Sequence, residues 1–374
     1  MKNFILILSF LILCMTVNAQ EQYTIDLTRG PNIGTEHIVI DSVIDNRMLT
    51  ESFGITAKGL SNRKVPIILQ DNILGIQKYI KSIAPDTLKR IHLTMVINHI
   101  WMYESTGVLA EEGVCDFDAT FCIRDANNNL MAIQEFSDEI KEKKLDASGT
   151  HVSRLVSVLH KAVLFADRIN FKEVKSIPFS ISVKDPKKCI AYADSTIKGF
   201  FKTFNDFYNN NPTDLSHISI KPTLLGGNSF FKLVDNNSER IQQKYYAYSD
   251  GTDLYINTFV YTFTFSSIYA KVISKGRYML IDANYEDPAL AAATIIGFGL
   301  IGGVIVASAT QKEVLVDMEN GKVIPFSLKN IKELLSQYPD VLAKYNKINE
   351  HTFEINCAFI NSLNKREREK ILGK

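Results

Sequence analysis

Asp116 and Asp118 sit two residues apart on one face of a predicted strand, with Glu111 and Glu112 just upstream. Carboxylates so placed are the start of a two-carboxylate hydrolase or of an oxygen-liganded calcium site. A strand face turned to water has the same spacing and is the plainer expectation. The histidines suggest less. His92 and His99 lie on one predicted strand seven residues apart, so a regular strand points them to opposite faces. His151 and His160 are nine apart on a predicted helix, on opposite sides of it. Neither pair can hold a metal locally, and no HExxH is present. His99, taken to face the same way as Ile97 and Trp101, reads as a core histidine.

Nucleophile motifs are also missing. There is no GxSxG, and Ser148-Gly149 precedes a predicted helix without forming an elbow. No Walker-type loop occurs, and Leu225-Gly226-Gly227-Asn228 reads as a turn. Cys115 and Cys122 share a strand, face opposite ways and lie about 23 Å apart, so they cannot bridge each other there. Without a CxxC, buried free thiols are the expectation for these two, Cys189 and Cys357. No catalytic, cofactor-binding or metal-ligating residue is therefore assigned, and no cofactor is expected.

The first 19 residues read as an export signal: Lys2, an apolar run from Phe4 to Cys14, then Val17 and Ala19 before the cut. Their removal takes only Lys2 from the charged residues and leaves basic and acidic groups balanced. That balance argues against nucleic acid as a partner. A chain of this length suggests two domains, each with its own core.

The first domain, 20–172, should position the carboxylates and histidines above. Strands are expected at 36–44 and 64–69, and Asp71 is expected to cap a helix carrying Ile73, Ile76, Ile80 and Ile83. Long strands follow at 88–103, 113–124 and 130–141, then a helix at 150–168. Helices on one face of a mainly antiparallel sheet is the α+β solution. This order, with Asp45-Asn46-Arg47 after the first strand, resembles the small envelope lipoproteins that assist lipid-transporting ABC systems. The resemblance covers roughly residues 36 to 170 and implies a non-catalytic adaptor in the cell envelope. The lipid-attachment cleavage pattern of that family is absent here, because Leu13 precedes Cys14.

The second domain, 173–374, begins after a segment broken by Pro178 and Pro186. Asp194 is expected to cap an amphipathic helix bearing Ile197, Phe200, Phe201, Phe204, Phe207 and Tyr208, stopped at Pro212. Strands are expected at 230–234, 243–249, 254–258, 263–273 and 277–282. A hairpin at 313–326 should close on Glu319-Asn320-Gly321. Helices carrying Ile331, Leu334 and Leu335, then one from Pro339 and one at 352–363, precede a charged tail. The run Gly199 to Phe207, then Asn211-Pro212-Thr213, Tyr246 to Gly251, Leu254 to Asn257 and Lys275 to Tyr278, resembles a recurrent pattern in exported proteins of Bacteroidetes-type bacteria. A tyrosine is more usual there where Phe201 stands. That resemblance covers roughly residues 190 to 350 and implies no known activity. Aromatic anchors, a proline stop and a glycine turn read as fold determinants.

An uncharged tract, 289–310, interrupts this domain. It is long enough to cross a bilayer, and Gly299, Gly303 and Ala307 at four-residue spacing would give a helix one smooth association face. Shielding within the fold, a single span and self-associating insertion are the three readings. Shielding comes first, because strands on both sides of the tract are expected in one sheet. The chain is thus expected to be an α+β envelope protein of two domains that binds or assembles without catalysis. An envelope protein or a lipid is the expected partner, with homo-oligomer or membrane contact through 289–310. A periplasmic hydrolase using Asp116 and Asp118, or a self-associating membrane-inserting protein, are the alternatives.

Overall fold

Alternating apolar positions in residues 91–144 build three long strands, and everything in the first half is hung on them. The computed structural model describes residues 22–27, 33–58, 63–84, 90–106, 111–144, 147–213, 218–222, 230–235, 245–257, 268–282 and 313–373. The export signal and the tract at 289–310, with Gly299, Gly303 and Ala307, lie outside them. Among the described residues, no helix is long and apolar enough to cross a membrane.

The first sheet contains β1 (Tyr23–Ile25), β2 (Ile38–Asp45), β3 (Gly54–Lys58), β4 (Arg63–Leu69), β5 (Ile91–Thr106), β6 (Glu111–Arg124), β7 (Leu130–Lys144) and β8 (Ile177–Pro178). Its order is β1-β4-β3-β5-β6-β7-β8, with β2 also on β5. The β5-β6-β7 meander is antiparallel, whereas β1–β4, β2–β5 and β3–β5 are parallel. Helices α1 (Ile73–Ile83) and α2 (His151–Asp167) cover one face. Ile76, Ile80 and Ile83 from α1, and Leu155, Leu159 and Val163 from α2, recur at helical spacing and pack on Met95, Met102, Phe117 and Phe121. Asp71 does not cap α1: Asn72 holds the cap position without a side-chain bond, and both residues have positive φ, 59° and 52°.

The second sheet is built from β9 (Gly199–Phe201), β10 (Ser219–Pro222), β11 (Phe230–Val234), β12 (Ala247–Ser249), β13 (Leu254–Asn257), β14 (Tyr269–Ser274), β15 (Tyr278–Asp282), β16 (Glu313–Asp317) and β17 (Lys322–Pro325). All its described pairings are antiparallel, and β15 and β16 on either side of 289–310 are direct neighbours. Helices α4 (Leu328–Leu335), α5 (Pro339–Tyr345) and α6 (Phe353–Leu372) cover Tyr278, Leu280 and Leu315. Two antiparallel-dominated sheets with packed helices make this an α+β protein.

Two helix expectations fail here. Residues 197–208 form β9 and the short α3 (Phe204–Tyr208) rather than one helix. Phe200 pairs with Tyr248 and with Thr213, and Thr203 starts α3 with a reciprocal cap to Asp206. Cross-strand pairing outweighs the helical spacing of the phenylalanines, and the cap fixes where the helix begins. The charged stretch Lys365–Lys370 is not a tail but the last turns of α6, which ends at Gly373 with φ 68°.

Candidate functional site

A break in strand pairing positions the site. Strand β2 pairs with β5 only as far as Ile97, and β3 takes up the same edge at Met102. No described strand covers β5 between those points. Gly54 makes the second junction feasible, because its φ is 148° and any Cβ there would overlap the Met102 carbonyl oxygen. Met102 N donates to Phe53 O at 2.8 Å, so its main chain faces this edge. Ile100, two residues earlier, faces the same way. Its side chain is buried in the helix-covered core, and a half-open cavity of about 60 Å³ lies beside this stretch, on the face that carries His99, Trp101 and Tyr103. That volume holds roughly four waters.

A β-bulge decides which side chains line the cavity. The β5–β6 register slips between Ile97 and His99, placing one extra residue in β5. Before the slip Leu93, Met95 and Ile97 face the helices, and after it Ile100 and Met102 do. His99, Trp101 and Tyr103 are thereby turned to the other face, toward the second half of the chain. This corrects two readings: His99 does not face with Ile97, and His92 and His99 share a face instead of opposing. They remain apart, His92 Nδ1 lying 2.9 Å from Asp41 and His99 Nε2 lying 3.6 Å from Asp116.

The rows across the meander then follow from register. Trp101, Asp116 and Glu139 are neighbours on β5, β6 and β7, and His99, Asp118 and Ser137 form the next row. Asp116 and Asp118 do share a face, but it is not an open one. Lys202, from the turn between β9 and α3, donates to Asp118 Oδ2 at 3.0 Å. Glu139 pairs with Lys141 at 2.7 Å. The second half closes the cavity with Lys202, Phe204 and Asn205, and with Tyr245, Tyr246 and Asn257. Asn257 donates to Tyr245 O at 3.2 Å, and Thr203 and Asp206 cap each other at 2.9 and 3.1 Å, so this wall is held by its own bonds.

The turn Asp45-Asn46-Arg47 is the joint between the halves. Asp45 grips Arg47 through both carboxylate oxygens at 2.8 Å, and the guanidinium lies 3.8 Å over Phe53. Asn46 donates to Asn98 Oδ1 at 2.8 Å, accepts from Ser182 N, and its carbonyl accepts from Asn205 at 3.2 Å. Met48 N donates to Asn205 Oδ1 at 2.7 Å, and the Met48 side chain is buried in the core of the second half.

Titration follows from this packing. Burial pushes the Asp116 carboxyl upward, but the hydrogen bond and charge of His99, with the Lys202 ammonium, outweigh it and hold the group below the usual carboxylate range. Burial pulls Lys202 down, while Asp116 and Asp118 more than restore it and keep it protonated. Burial, with the carboxylates of Glu139, Asp116 and Glu112, keeps the Tyr103 phenol protonated. Cys115, Cys122, Cys189 and Cys357 are free thiols. Burial pushes Cys115 up to about 12, so it is no nucleophile at neutral pH. His151 and His160 separate as expected: His151 is buried against Glu104, and His160 bonds Tyr79 at 2.8 Å.

Trp101 and Glu139 lie in no motif, whereas Lys202, Asn205 and Asn257 lie in the runs Gly199 to Phe207 and Leu254 to Asn257, which read as fold determinants and not as a site. The Thr203-to-Asp206 spacing, a cap signature, was the one local hint that the chain turns at Lys202.

Residues 199–367 match a family model described as a family of unknown function (DUF6563). No curated protein and no solved structure matches the chain. The matched region supplies one wall of the cavity, through Lys202, Asn205 and Asn257, while Trp101, Asp116 and Glu139 lie outside it.

Proposed function

We propose that this chain is a non-catalytic binding protein of the cell envelope that holds a ligand in the cleft between its two halves. The observation that carries the reading is that the polar side chains of the cleft are already engaged with one another. Asp116 is paired with His99, Asp118 with Lys202, Glu139 with Lys141, and Arg47 with Asp45. Acid–base catalysis by two carboxylates needs their pKa values pushed apart, with one raised to keep a proton. Asp116, held low, is not the member that keeps a proton. A half-open cavity with aromatic walls and convergent polar groups is a binding geometry. Export rests on the leader-like residues 1–19 and on the resemblance of residues 190 to 350 to exported proteins.

A hydrolase is the second reading, favoured by Asp116 and Glu139 standing directly opposite each other on β6 and β7. Sedimentation with isolated envelope fragments, followed by mass spectrometry of the fragments, separates the two. The binding reading expects the protein to pellet with fragments that stay intact, and Trp101→Ala to reduce pelleting. Cleavage lost in Asp116→Asn would establish the hydrolase, and pelleting untouched by Trp101→Ala would overturn the cleft as the site.

A further inference from the structure

We infer that the cleft takes the ammonium head of an organic amine, drawn to Asp116 by charge and enclosed by aromatic side chains. This rests on the binding reading above and names its ligand. Three observations converge on it.

The first is charge. Arg47, Asp116, Glu139 and Lys202 are the charged residues of the cavity wall, and His99 stands among them. Asp45 grips Arg47 at 2.8 Å, Asp118 accepts from Lys202 at 3.0 Å, and Lys141 meets Glu139 at 2.7 Å, so these three are matched by permanent ions. Asp116 instead faces His99 at 3.6 Å, and an imidazole is a cation only when protonated. With His99 neutral, the wall and its partners hold one carboxylate more than they hold cations. Neighbouring groups sense that surplus. Burial raises the Tyr103 phenol, and Glu139, Asp116 and Glu112 push it the same way. Burial lowers Lys202, yet Asp116 and Asp118 lift it above its ordinary range. An entering cation meets an attractive field, and an anion a repulsive one.

The second is the wall. Trp101, Tyr103, Phe204, Tyr245 and Tyr246 line the cavity. Aromatic faces carry negative charge and attract a cation, most strongly where water is excluded. Phe204 and Tyr246 meet edge to face at 5.5 Å, which fixes these two rings against each other. The half-open cavity of about 60 Å³ admits a head of a few heavy atoms and lets the rest of the amine extend outward.

The third is the kind of ligand atom on offer. A calcium ion takes about six or more oxygen ligands, and a transition metal wants clustered nitrogen, sulfur or oxygen donors. Among the described residues, no three His, Cys, Asp or Glu side chains are grouped to hold a metal ion. Aromatic rings cannot replace the water of a metal ion, but they suit an organic cation whose charge is spread over carbon-bound groups.

Trp101 is the one tryptophan of the chain, so its emission reports this site alone. The chain from Gln20 onward is titrated at constant ionic strength with choline, n-butylammonium, acetate and neohexanol, the uncharged isostere of choline. The expected result is a saturable change in emission with both cations, the tighter of the two distinguishing a methylated from a primary head. Neohexanol should bind at least about tenfold more weakly than choline. Asp116→Asn, checked for native circular dichroism, should weaken choline about tenfold, to the level of neohexanol. Lys141→Met frees Glu139 and should tighten choline about twofold, the opposite of what damage to the fold would do. Equal binding of choline and neohexanol, or choline binding untouched by Asp116→Asn, overturns the cation while leaving a functional cleft. A response to acetate alone overturns it too, by reversing the sign of the ligand. Silence with every probe, while Trp101→Ala still reduces pelleting, overturns the ammonium head alone. Silence together with pelleting unaffected by Trp101→Ala overturns both.

Discussion

Strands β5, β6 and β7 carry two polar clusters that contrast sharply in their access to water. On the opposite, helix-covered face of the sheet, Glu104 of β5 with His151 and Arg154 of α2 are almost wholly buried. Arg154 Nη2 lies 2.8 Å from His151 Nδ1, and since arginine has no acceptor, that nitrogen accepts; His151 Nε2 lies 2.7 Å from Glu104. Thr56 donates to Glu104 at 2.8 Å, and Arg154 also reaches Ala147 O at 3.1 Å. Gly113 has no side chain where one would overlap the Arg154 guanidinium. This cluster is buried beneath α2. Around the cleft, His99, Asp116, Asp118 and Lys202 are paired across two halves of the chain and keep contact with solvent. The closed cluster can only support the fold, whereas the open one can exchange water for a ligand.

Substitutions that split the two clusters test this contrast. The largest effect is expected from Arg154→Ala, which removes the buried cation beside Glu104 and the donor to His151: a loss of about 3–5 kcal/mol in urea unfolding. Native Trp101 emission should not change, and if it does, the two clusters are coupled. Asn205→Ala comes next, because it removes the bonds to Met48 N and Asn46 O that join the halves. About 1–2 kcal/mol is expected, with Trp101 becoming more accessible to acrylamide. Unaltered quenching would mean that the joint does not set the cleft.

Asp116→Asn should cost on the order of 1 kcal/mol at neutral pH. Its pH dependence sharpens the contrast. The folded-state value of Asp116 is lowered, so its stabilising contribution is complete above the ordinary carboxylate range and disappears as pH falls through the lowered value. Urea midpoints measured between neutral pH and pH ~3 should fall less steeply in the variant than in the parent. Equal slopes would remove Asp116 from the set of groups that titrate with folding. The smallest effect is expected from Lys141→Met, since the Lys141–Glu139 pair is largely solvated: less than about 0.5 kcal/mol by the same measurement.

Much of the fold was legible because its signals are local. The strands at β5, β6 and β7, helices α1 and α2, and the hairpin of β16 and β17 follow from apolar period and turn residues in a short window. The site was much less legible. Asp116 and Asp118 were visible as a pair, yet Trp101, Glu139 and Lys202 come to them from other strands and from the other half. His99 was read on the wrong face because one extra residue in β5 shifts the alternation, and nothing in residues 97–99 announces it. The helix expected at 197–208 failed for a related reason: a stripe of phenylalanines fits a helix and a strand, and only pairing with Tyr248 decides between them.

By itself the sequence determined the α+β class, the even charge balance and the uncharged tract at 289–310, because composition and period need no partner. Tertiary structure alone decided that β2 and β3 share one edge of β5 and leave a break at Ile100. It also decided that Asn46 ties that break to Asn205. Bulges, strand-edge sharing and docking of one half on another are settled by contacts between residues far apart in the chain, which no local window contains.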